Sequence, residues 1–227
     1  MTRKCMRIAI AGAGNVGTYV AGDLNAKGHE IILIEQNKEI VQQLKHELDV
    51  AWVVGDACEL YTLDTAVLTS CDVVVAATGD DEDNLVISLL AKQEFGVRRV
   101  VGRVNHPDNE WLFTESWGVD VAVSTPHLLT SLVEEAVSTG DLVRLLKLEQ
   151  GKVALLEVTL AEGSPAEGKT VGDLEMPPDC TLVAIVRDRH VITPSSDTQL
   201  SAGDEVLALA TAEAESDLRE VLAGDGE

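Results

Sequence analysis

The sequence predicts an α/β protein: a doubly wound parallel sheet in residues 1–140, followed by a small α+β domain in residues 141–227. Apolar, β-branched runs alternate with amphipathic stretches through the first part, which is typical of βαβ units around a parallel sheet. After Gly140 the apolar residues alternate within short segments that turn residues separate, which indicates antiparallel strands. Aromatic residues make up only 3% of the chain, so the core must consist of Val, Leu, Ile and Ala, as in a buried parallel sheet.

The first part contains apolar runs that we predict to be strands: Met6–Ala11, Glu30–Ile34, Ala51–Val54, Val73–Ala77, Arg99–Val104 and Val119–Val123. The amphipathic stretches between and after them are predicted helices: Val16–Lys27, Lys38–Leu48, Leu60–Ala66, Asp83–Phe95, Glu110–Trp117 and Pro126–Thr139. Gly28 and Gly96 follow helical patterns at the position where a glycine commonly ends a helix.

The second part begins with a short apolar segment, Leu142–Leu148. Its predicted strands are Val153–Leu160, Thr181–Arg187, His190–Ile192 and Glu205–Ala210. Turn residues such as Gly163-Ser164-Pro165 separate these segments, and a helix near Ala212–Ala223 ends the chain. We therefore expect the boundary between the two domains at residues 140 and 141, without a long linker.

The net charge is −22, from 17 basic and 39 acidic residues, and it argues against a nucleic-acid partner, which requires clustered Lys and Arg. No apolar run approaches the ~18–20 residues of a membrane-spanning helix, so direct membrane insertion is not expected. Glycines interrupt the apolar start too early for a signal peptide, and we expect a cytoplasmic protein. The 4 Cys and 5 His form neither C-x-x-C nor H-E-x-x-H patterns, so no metal site is expected.

The turn between the first strand and the first helix carries the pattern G-x-G-x-x-G, as Gly12-Ala13-Gly14-Asn15-Val16-Gly17. The first glycine permits a tight turn, the second lets a pyrophosphate approach the backbone, and the third allows helix and strand to pack closely. An anion would meet free N–H groups at the positive end of the helix dipole. The context predicts a Rossmann-like nucleotide-binding turn, with a merely tight strand-to-helix turn as the alternative.

Glu35 lies just past the second predicted strand, where a carboxylate can accept hydrogen bonds from the 2′- and 3′-hydroxyls of a ribose. A 2′-phosphate would meet like charge there, so NADP is disfavoured. The alternative is a solvated carboxylate at the end of a strand.

Ligands of open α/β sheets bind beyond the carboxyl ends of the strands, and this rule selects further candidates. They are Asp56, Ala57, Thr78, Gly79 and Arg103, and Asn84, which follows the acidic run Asp80–Asp83, could also reach a ligand. Asp56 could accept from an adenine amine and Thr78 could donate to a ribose or phosphate, although both residue types also serve in turns and caps. Arg103 would balance a pyrophosphate in this acidic chain, unless it forms a surface ion pair. The run Asp80–Asp83 is more simply a helix start than a metal site.

Further segments carry a resemblance to a known family: GDA at Gly55–Ala57, AATGDDEDNL at Ala76–Leu85, VGRVNHPDN at Val101–Asn109 and, downstream, GKTVGDLEMPPDCTLVAIVRD with LSAGDEVLALA. With the glycine turn and Glu35, they make the chain resemble the RCK family, the regulators of K⁺ conductance. It looks most like the cytosolic regulatory subunits of bacterial Trk/Ktr potassium uptake systems. The resemblance covers nearly the whole chain and both predicted domains.

The resemblance implies a nucleotide sensor rather than an enzyme, with no catalytic residues. Such subunits bind NAD(H), ADP or ATP in the Rossmann groove, form homo-oligomers from dimers up to rings, and gate a separate membrane subunit that translocates potassium. A ligand can do so only through different affinities for two states of the assembly. The resemblance thus implies a peripheral position at the inner face of the membrane, through that partner.

Two positions depart from the pattern of ATP-responsive members. Asn15 stands where some of them carry an arginine, and Ser124-Thr125-Pro126 where some place an acidic residue for a bound cation. Both departures favour NAD(H) or ADP/AMP over ATP. In the small domain, Ile185 and Arg187 are candidates for binding cyclic di-AMP, as some relatives do, with an ordinary strand as the alternative.

Two other functions stay open on the sequence. A NAD-dependent oxidoreductase would use the same first domain, but the second lacks an evident acid–base set, since His190 lies beside Asp188 and Arg189 in an apparent hairpin turn. A structural interaction module with a degenerate nucleotide site is the other alternative.

Overall fold

The computed structural model describes residues 5–137, 140–148 and 152–224. The chain divides between Pro126 and His127 into two compact units. The boundary expected from the sequence lies later, after Gly140, because it is placed where the pattern changes from alternating strands and helices to short strands. The division at Pro126 instead reflects which residues pack together.

The first unit is built on a parallel sheet of six strands in the order β3-β2-β1-β4-β5-β6. The strands are β1 (Arg7–Ala11), β2 (Glu30–Glu35), β3 (Ala51–Val54), β4 (Val73–Ala76), β5 (Arg99–Val104) and β6 (Val121–Ser124). This is the strand order of dinucleotide-binding Rossmann folds, and it places the reversal of direction between β1 and β4, beside the glycine turn. The predicted fold class is confirmed.

Helices cover both faces of this sheet. They are α1 (Asn15–Ala26), α2 (Lys38–Leu44), α3 (Leu60–Thr65) and α4 (Asp81–Gln93). A further helix, α5 (Thr125–Val137), follows β6 and belongs mostly to the second unit. On one face Ile10 and Leu33 share a buried cluster with Ala21 of α1. On the other face Ala11 and Ile34 share a cluster with Leu63 of α3 and Ile87 of α4. Burial of alternate side chains on opposite faces explains the near-continuous apolar runs in these strands.

The predicted helix Glu110–Trp117 is wrong, because two short 3-10 helices stand there, Pro107–Leu112 and Glu115–Trp117. Phe113 interrupts the segment, since its buried ring packs beside Gly102 in a cluster with Val119. An α-helix continuing past Phe113 would forgo that packing. Of the predicted helix Pro126–Thr139, the last two residues lie outside the described residues.

Besides most of α5, the described part of the second unit contains an antiparallel sheet in the order β10-β9-β11-β8-β7 and a helix that packs on it. Its elements are β7 (Val143–Leu148), β8 (Val153–Thr159), β9 (Cys180–Arg187), β10 (His190–Ile192), β11 (Glu205–Thr211) and α6 (Glu215–Leu222). Leu218 and Leu222 of α6 belong to the same buried cluster as Leu156 and Ala208 of the sheet. The apolar segment Leu142–Leu148 is therefore mostly an edge strand. Within the described ranges, none of the helices is both long and apolar enough to cross a membrane.

Candidate functional site

A groove of about 420 Å³ lies in the first unit, lined by residues that follow strands β1 to β4 and by Arg103 of β5. Its volume lies within the range usual for small-molecule sites. Predicted site residues that line it are Gly12, Gly14, Glu35, Asp56, Ala57, Thr78, Gly79 and Arg103. Of the other predicted residues, Asn15 and Val16 are exposed in the first turn of α1, whereas Gly17 and Asn84 are buried.

The three glycines of the turn meet different surroundings. A Cβ on Gly12, whose φ is +99°, would lie 2.9 Å from the carbonyl oxygen of Ala77, and a Cβ on Gly17 would lie 1.9 Å from the carbonyl oxygen of Gly12. A Cβ on Gly14 would instead have no atom within 4 Å. Gly12 and Gly17 are thus required by the fold, while Gly14 leaves space open beside the backbone.

The first turn of α1 offers its backbone N–H groups to this space. Gly14 is the residue that precedes the helix, it has no side chain to cap these donors, and the first turn carries no acidic residue. Such uncapped N–H groups, together with the helix dipole, make a site for an anion. The turn can therefore bind a phosphate group.

Glu35 is the last residue of β2 and lies at the side of the groove. Its carboxylate accepts 2.8 Å hydrogen bonds from the backbone N–H of Ala13 and from that of Asn37. Asn37 in turn caps α2 by accepting from the N–H of Glu39 at 2.9 Å. A carboxylate has about four acceptor positions, so these contacts orient Glu35 and leave acceptors for a ribose.

The loop after β3 lines the groove next to Glu35. The carboxylate of Asp56 accepts a 2.8 Å hydrogen bond from the N–H of Cys58, which holds the turn around Ala57. Burial, with the nearby carboxylates of Asp83 and Asp56, raises the pKa of the Cys58 thiol to about 12. No sequence pattern singles out Cys58, which is a protonated thiol at neutral pH.

The opposite wall is formed around Thr78, after β4. Asn84, which the sequence predicts to reach a ligand, is 0% exposed and lies behind this wall. Its Oδ1 accepts 2.9 Å hydrogen bonds from the N–H and the hydroxyl of Thr78, and its Nδ2 donates to the carbonyl oxygen of Arg103 at 2.9 Å. The side chain of Asn84 thus bonds within the protein, which favours a supporting role behind this wall over a direct ligand contact.

Arg103 is the one basic side chain among the described residues of the groove, beside the carboxylates of Glu35, Asp56, Asp80 and Asp83. Its Nε is buried without a hydrogen-bond partner among the described residues, and its Nη1 makes a long contact of 3.5 Å to the carbonyl oxygen of Thr78. The guanidinium thus retains donors for an anionic ligand.

Asp81 holds the loop that follows Arg103, a role that the sequence did not reveal. Its carboxylate accepts from the N–H of Asn105 at 2.6 Å, the N–H of His106 at 2.9 Å and the side chain of Asn109 at 2.9 Å. Burial acts to raise the pKa of Asp81, but these hydrogen bonds outweigh it and hold the pKa below its usual value. In the same acidic run, Asp80 caps α4 by accepting from the N–H of Asp83, as expected of a helix start.

In the second unit the two candidate residues for cyclic di-AMP are engaged in the fold. Ile185 is 0% exposed in the core. Arg187 donates to both carboxylate oxygens of Asp204, at 2.6 and 2.7 Å, and Asp204 is 1% exposed. These contacts favour the ordinary strand interpretation of both residues.

Comparison with known proteins relates both units to one family. The model of the TrkA-N domain matches residues 8–125, and that of the TrkA-C domain matches residues 155–223. The Trk system potassium uptake protein TrkA of Mycobacterium tuberculosis is 52% identical over 96% of this chain and 98% of its own length. The homolog from Archaeoglobus fulgidus is 34% identical over 92% of this chain, which spans 48% of that relative.

Solved structures show the same fold at lower identity. The GsuK channel bound to NAD has a TM-score of 0.66 and 17% identity, covering 100% of this chain and 41% of that one. GsuK bound to ADP has a TM-score of 0.53 and 16% identity, covering 61% of this chain and 36% of that one. The resemblance stated from the sequence motifs is thus confirmed: the chain belongs to the TrkA family of Trk system potassium uptake proteins.

Proposed function

We propose that the chain is a nucleotide-sensing regulatory subunit that binds NAD(H) or an adenine nucleotide and gates a separate membrane subunit for potassium. The proposal rests on the groove, which combines an uncapped helix N-terminus, an oriented carboxylate at Glu35 and the guanidinium of Arg103, whose Nε has no partner among the described residues. These groups match a phosphate, a ribose and a second phosphate contact. GsuK structures of the same fold hold NAD and ADP, which supports the same ligand class here.

The proposed site comprises Gly12, Gly14, Asn15, Val16, Gly17, Glu35, Asp56, Ala57, Thr78, Gly79 and Arg103, with Asn84 behind it. The acidic lining of the groove makes each added phosphate less favourable, since among its described residues one cation, Arg103, stands beside four carboxylates. We therefore propose NAD(H) or ADP/AMP as the preferred ligand over ATP.

We also propose that the chain is not an enzyme. Among the described residues, the groove has no His, Lys or Tyr to transfer a proton, and its thiol, Cys58, is held protonated. Hydride transfer to a substrate carbonyl requires a group that can donate or accept a proton near neutral pH. A dehydrogenase function lacks that group here.

The proposed roles of the two domains follow the boundary predicted from the sequence. Residues 1–140 bind the nucleotide, and residues 141–227 form the small regulatory domain; the two family matches fall within these ranges. We propose a homo-oligomer, from a dimer up to a ring, at the inner face of the membrane through the potassium-translocating subunit. The relatives' names place them in a Trk potassium uptake system, which supports such a partner.

Titration calorimetry of the purified chain with NADH, NAD, ADP, ATP and AMP tests the proposal. We expect binding at micromolar concentration or tighter for at least one of them, with different affinities across the set. Sedimentation of the same samples would show whether the preferred ligand changes the assembly. A folded protein that binds none of these nucleotides would refute the proposed function.

A further inference from the structure

We infer that Asn84 is a positioning residue for the phosphate-facing wall of the groove, which it shapes without contacting the ligand. This inference rests on the proposed nucleotide-binding function. It starts from the burial of Asn84, which at 0% exposure is out of reach of any molecule in the groove.

The side chain of Asn84 joins the ends of two neighbouring strands. Its oxygen accepts from the N–H and hydroxyl of Thr78, just past β4, and its nitrogen donates to the carbonyl oxygens of Arg103 at 2.9 Å and Thr78 at 3.4 Å. Both donor hydrogens and both acceptor positions of the amide are therefore used. An aspartate, an alanine or a leucine would each leave at least one of these buried groups unpaired.

The two residues that Asn84 joins both line the groove, and they hold each other in place. The carbonyl oxygen of Thr78 also accepts from the side chain of Asn105 at 3.2 Å, and Asn105 is held by Asp81 at 3.1 Å. The backbone and hydroxyl of Thr78 and the backbone carbonyl of Arg103 are thus held from behind, before any ligand is bound. Prior fixation of this kind reduces the cost of ordering the site when a ligand enters.

The strand order separates this wall from the adenosine end of the proposed site. Glu35 ends β2 and Asp56 follows β3, on one side of the glycine turn of β1, while Thr78 follows β4 and Arg103 lies in β5 on the other side. Loss of Asn84 should therefore weaken contacts with phosphates and leave contacts with adenosine nearly unchanged. A merely structural role would lower stability without separating these two ligands.

The test compares the affinities of Asn84→Ala and the unaltered protein for ADP, NAD and adenosine by calorimetry, together with thermal unfolding. We expect roughly tenfold weaker binding of ADP and NAD, and a change below about threefold for adenosine. Ser88→Ala is the matched control, because Ser88 is also 0% exposed on α4 and its hydroxyl donates to the carbonyl oxygen of Asn84 at 2.6 Å, away from the groove. It should lower the unfolding temperature without changing the ratio of the ADP and adenosine affinities.

Asn105→Ala provides a second variant. It removes the 3.2 Å hydrogen bond that the half-buried side chain of Asn105 donates to the carbonyl oxygen of Thr78. It should shift the same ratio in the same direction and keeps the test decisive if Asn84→Ala fails to fold. An unchanged ratio in the folded variants would overturn the positioning role. Absence of nucleotide binding in the unaltered protein would instead refute the proposed function, so the two failures are distinguishable.

Discussion

The carboxylate of Glu35 accepts a 2.8 Å hydrogen bond from the backbone N–H of Ala13, so the end of β2 is tied to the middle of the glycine turn. The same side chain is proposed to bind the ribose. Its orientation is therefore set by the turn that is proposed to hold the phosphates, and the two halves of the site cannot move independently.

Replacing Glu35 with alanine removes a charged acceptor, whose loss typically costs about 1.5–3 kcal/mol. We expect adenosine-nucleotide binding to weaken by roughly 10–150-fold, measured by calorimetry. Glu30→Ala is the matched control, because Glu30 is exposed at the start of the same strand, where it forms an ion pair with the half-buried Arg7 at 3.4 Å. Unchanged nucleotide affinity in folded Glu35→Ala would rule out the ribose contact.

Gly14→Val should abolish most nucleotide binding while leaving the fold intact. The backbone of Gly14 is extended, with φ −71° and ψ −178°, which suits a β-branched residue, and an added Cβ meets no protein atom within 4 Å. The new side chain would occupy the space proposed for the phosphate, so a loss of roughly tenfold or more in affinity is expected. Circular dichroism and calorimetry would check both parts.

Gly17→Ala is the contrasting change, since its Cβ would lie 1.9 Å from the carbonyl oxygen of Gly12. We expect this variant to lose thermal stability before any ligand is added. If Gly14→Val binds normally, the phosphate does not lie beside this turn.

Arg103→Gln should weaken the binding of ADP and NAD and reduce its dependence on salt, because the variant lacks the one cation among the described groove residues. The expected loss is about 10–150-fold, the range for charged hydrogen bonds. Arg99→Gln is the control on the same strand, exposed at its opposite end. Equal effects of the two substitutions would mean that Arg103 contributes only to the net charge.

The stability of the first unit should decrease at acid pH through Asp81. Because the folded-state pKa of Asp81 is lowered, this carboxylate stabilises the fold above its unfolded pKa, near 3.8, and the contribution is lost as the pH falls through the folded value. Urea unfolding from neutral pH down through this range should show the loss. In Asp81→Asn the protein should be less stable at neutral pH and lose less stability on acidification, whereas Asp64→Asn, on an exposed part of α3, should retain the original profile.

Cys58 should resist alkylation at neutral pH. A thiol with a pKa of about 12 is ionised to roughly one part in ten thousand at pH 8, and the thiolate is the reactive form. Mass spectrometry after brief iodoacetamide treatment should find Cys5, which is exposed, modified well before Cys58. Equal alkylation rates at Cys5 and Cys58 would contradict a protonated Cys58 thiol and would indicate a reactive group in the groove.

The sheet of the first unit could be predicted because most of its strands are buried on both faces and form near-continuous apolar runs. The glycine turn and Glu35 were also accessible to sequence reasoning, since they occur at fixed places relative to two strands. The segment around Phe113 was not, because its polar residues have helical spacing while a single buried ring, packed beside Gly102, decides the local conformation.

The roles within the run Asp80–Asp83 illustrate why the rest of the site needed the structure. All its residues are acidic, but Asp80 caps a helix while Asp81 turns to partners at Asn105 and Asn109. Those partners lie more than twenty residues away in the chain, so no local pattern distinguishes the two carboxylates. The position of Asn84 behind the groove wall likewise depends on tertiary packing, so its place in the sequence alone predicts a ligand contact.

The unequal surroundings of the three glycines affect how duplicated or diverged copies of this domain should be interpreted. A copy that no longer bound a nucleotide would still need Gly12 and Gly17, because the backbone oxygens of Ala77 and Gly12 exclude any side chain there. Only Gly14 would be free to drift. In such a copy, the presence of the first and third glycines therefore indicates only that the fold is intact. Of the three glycines, the middle one indicates whether ligand binding has been retained.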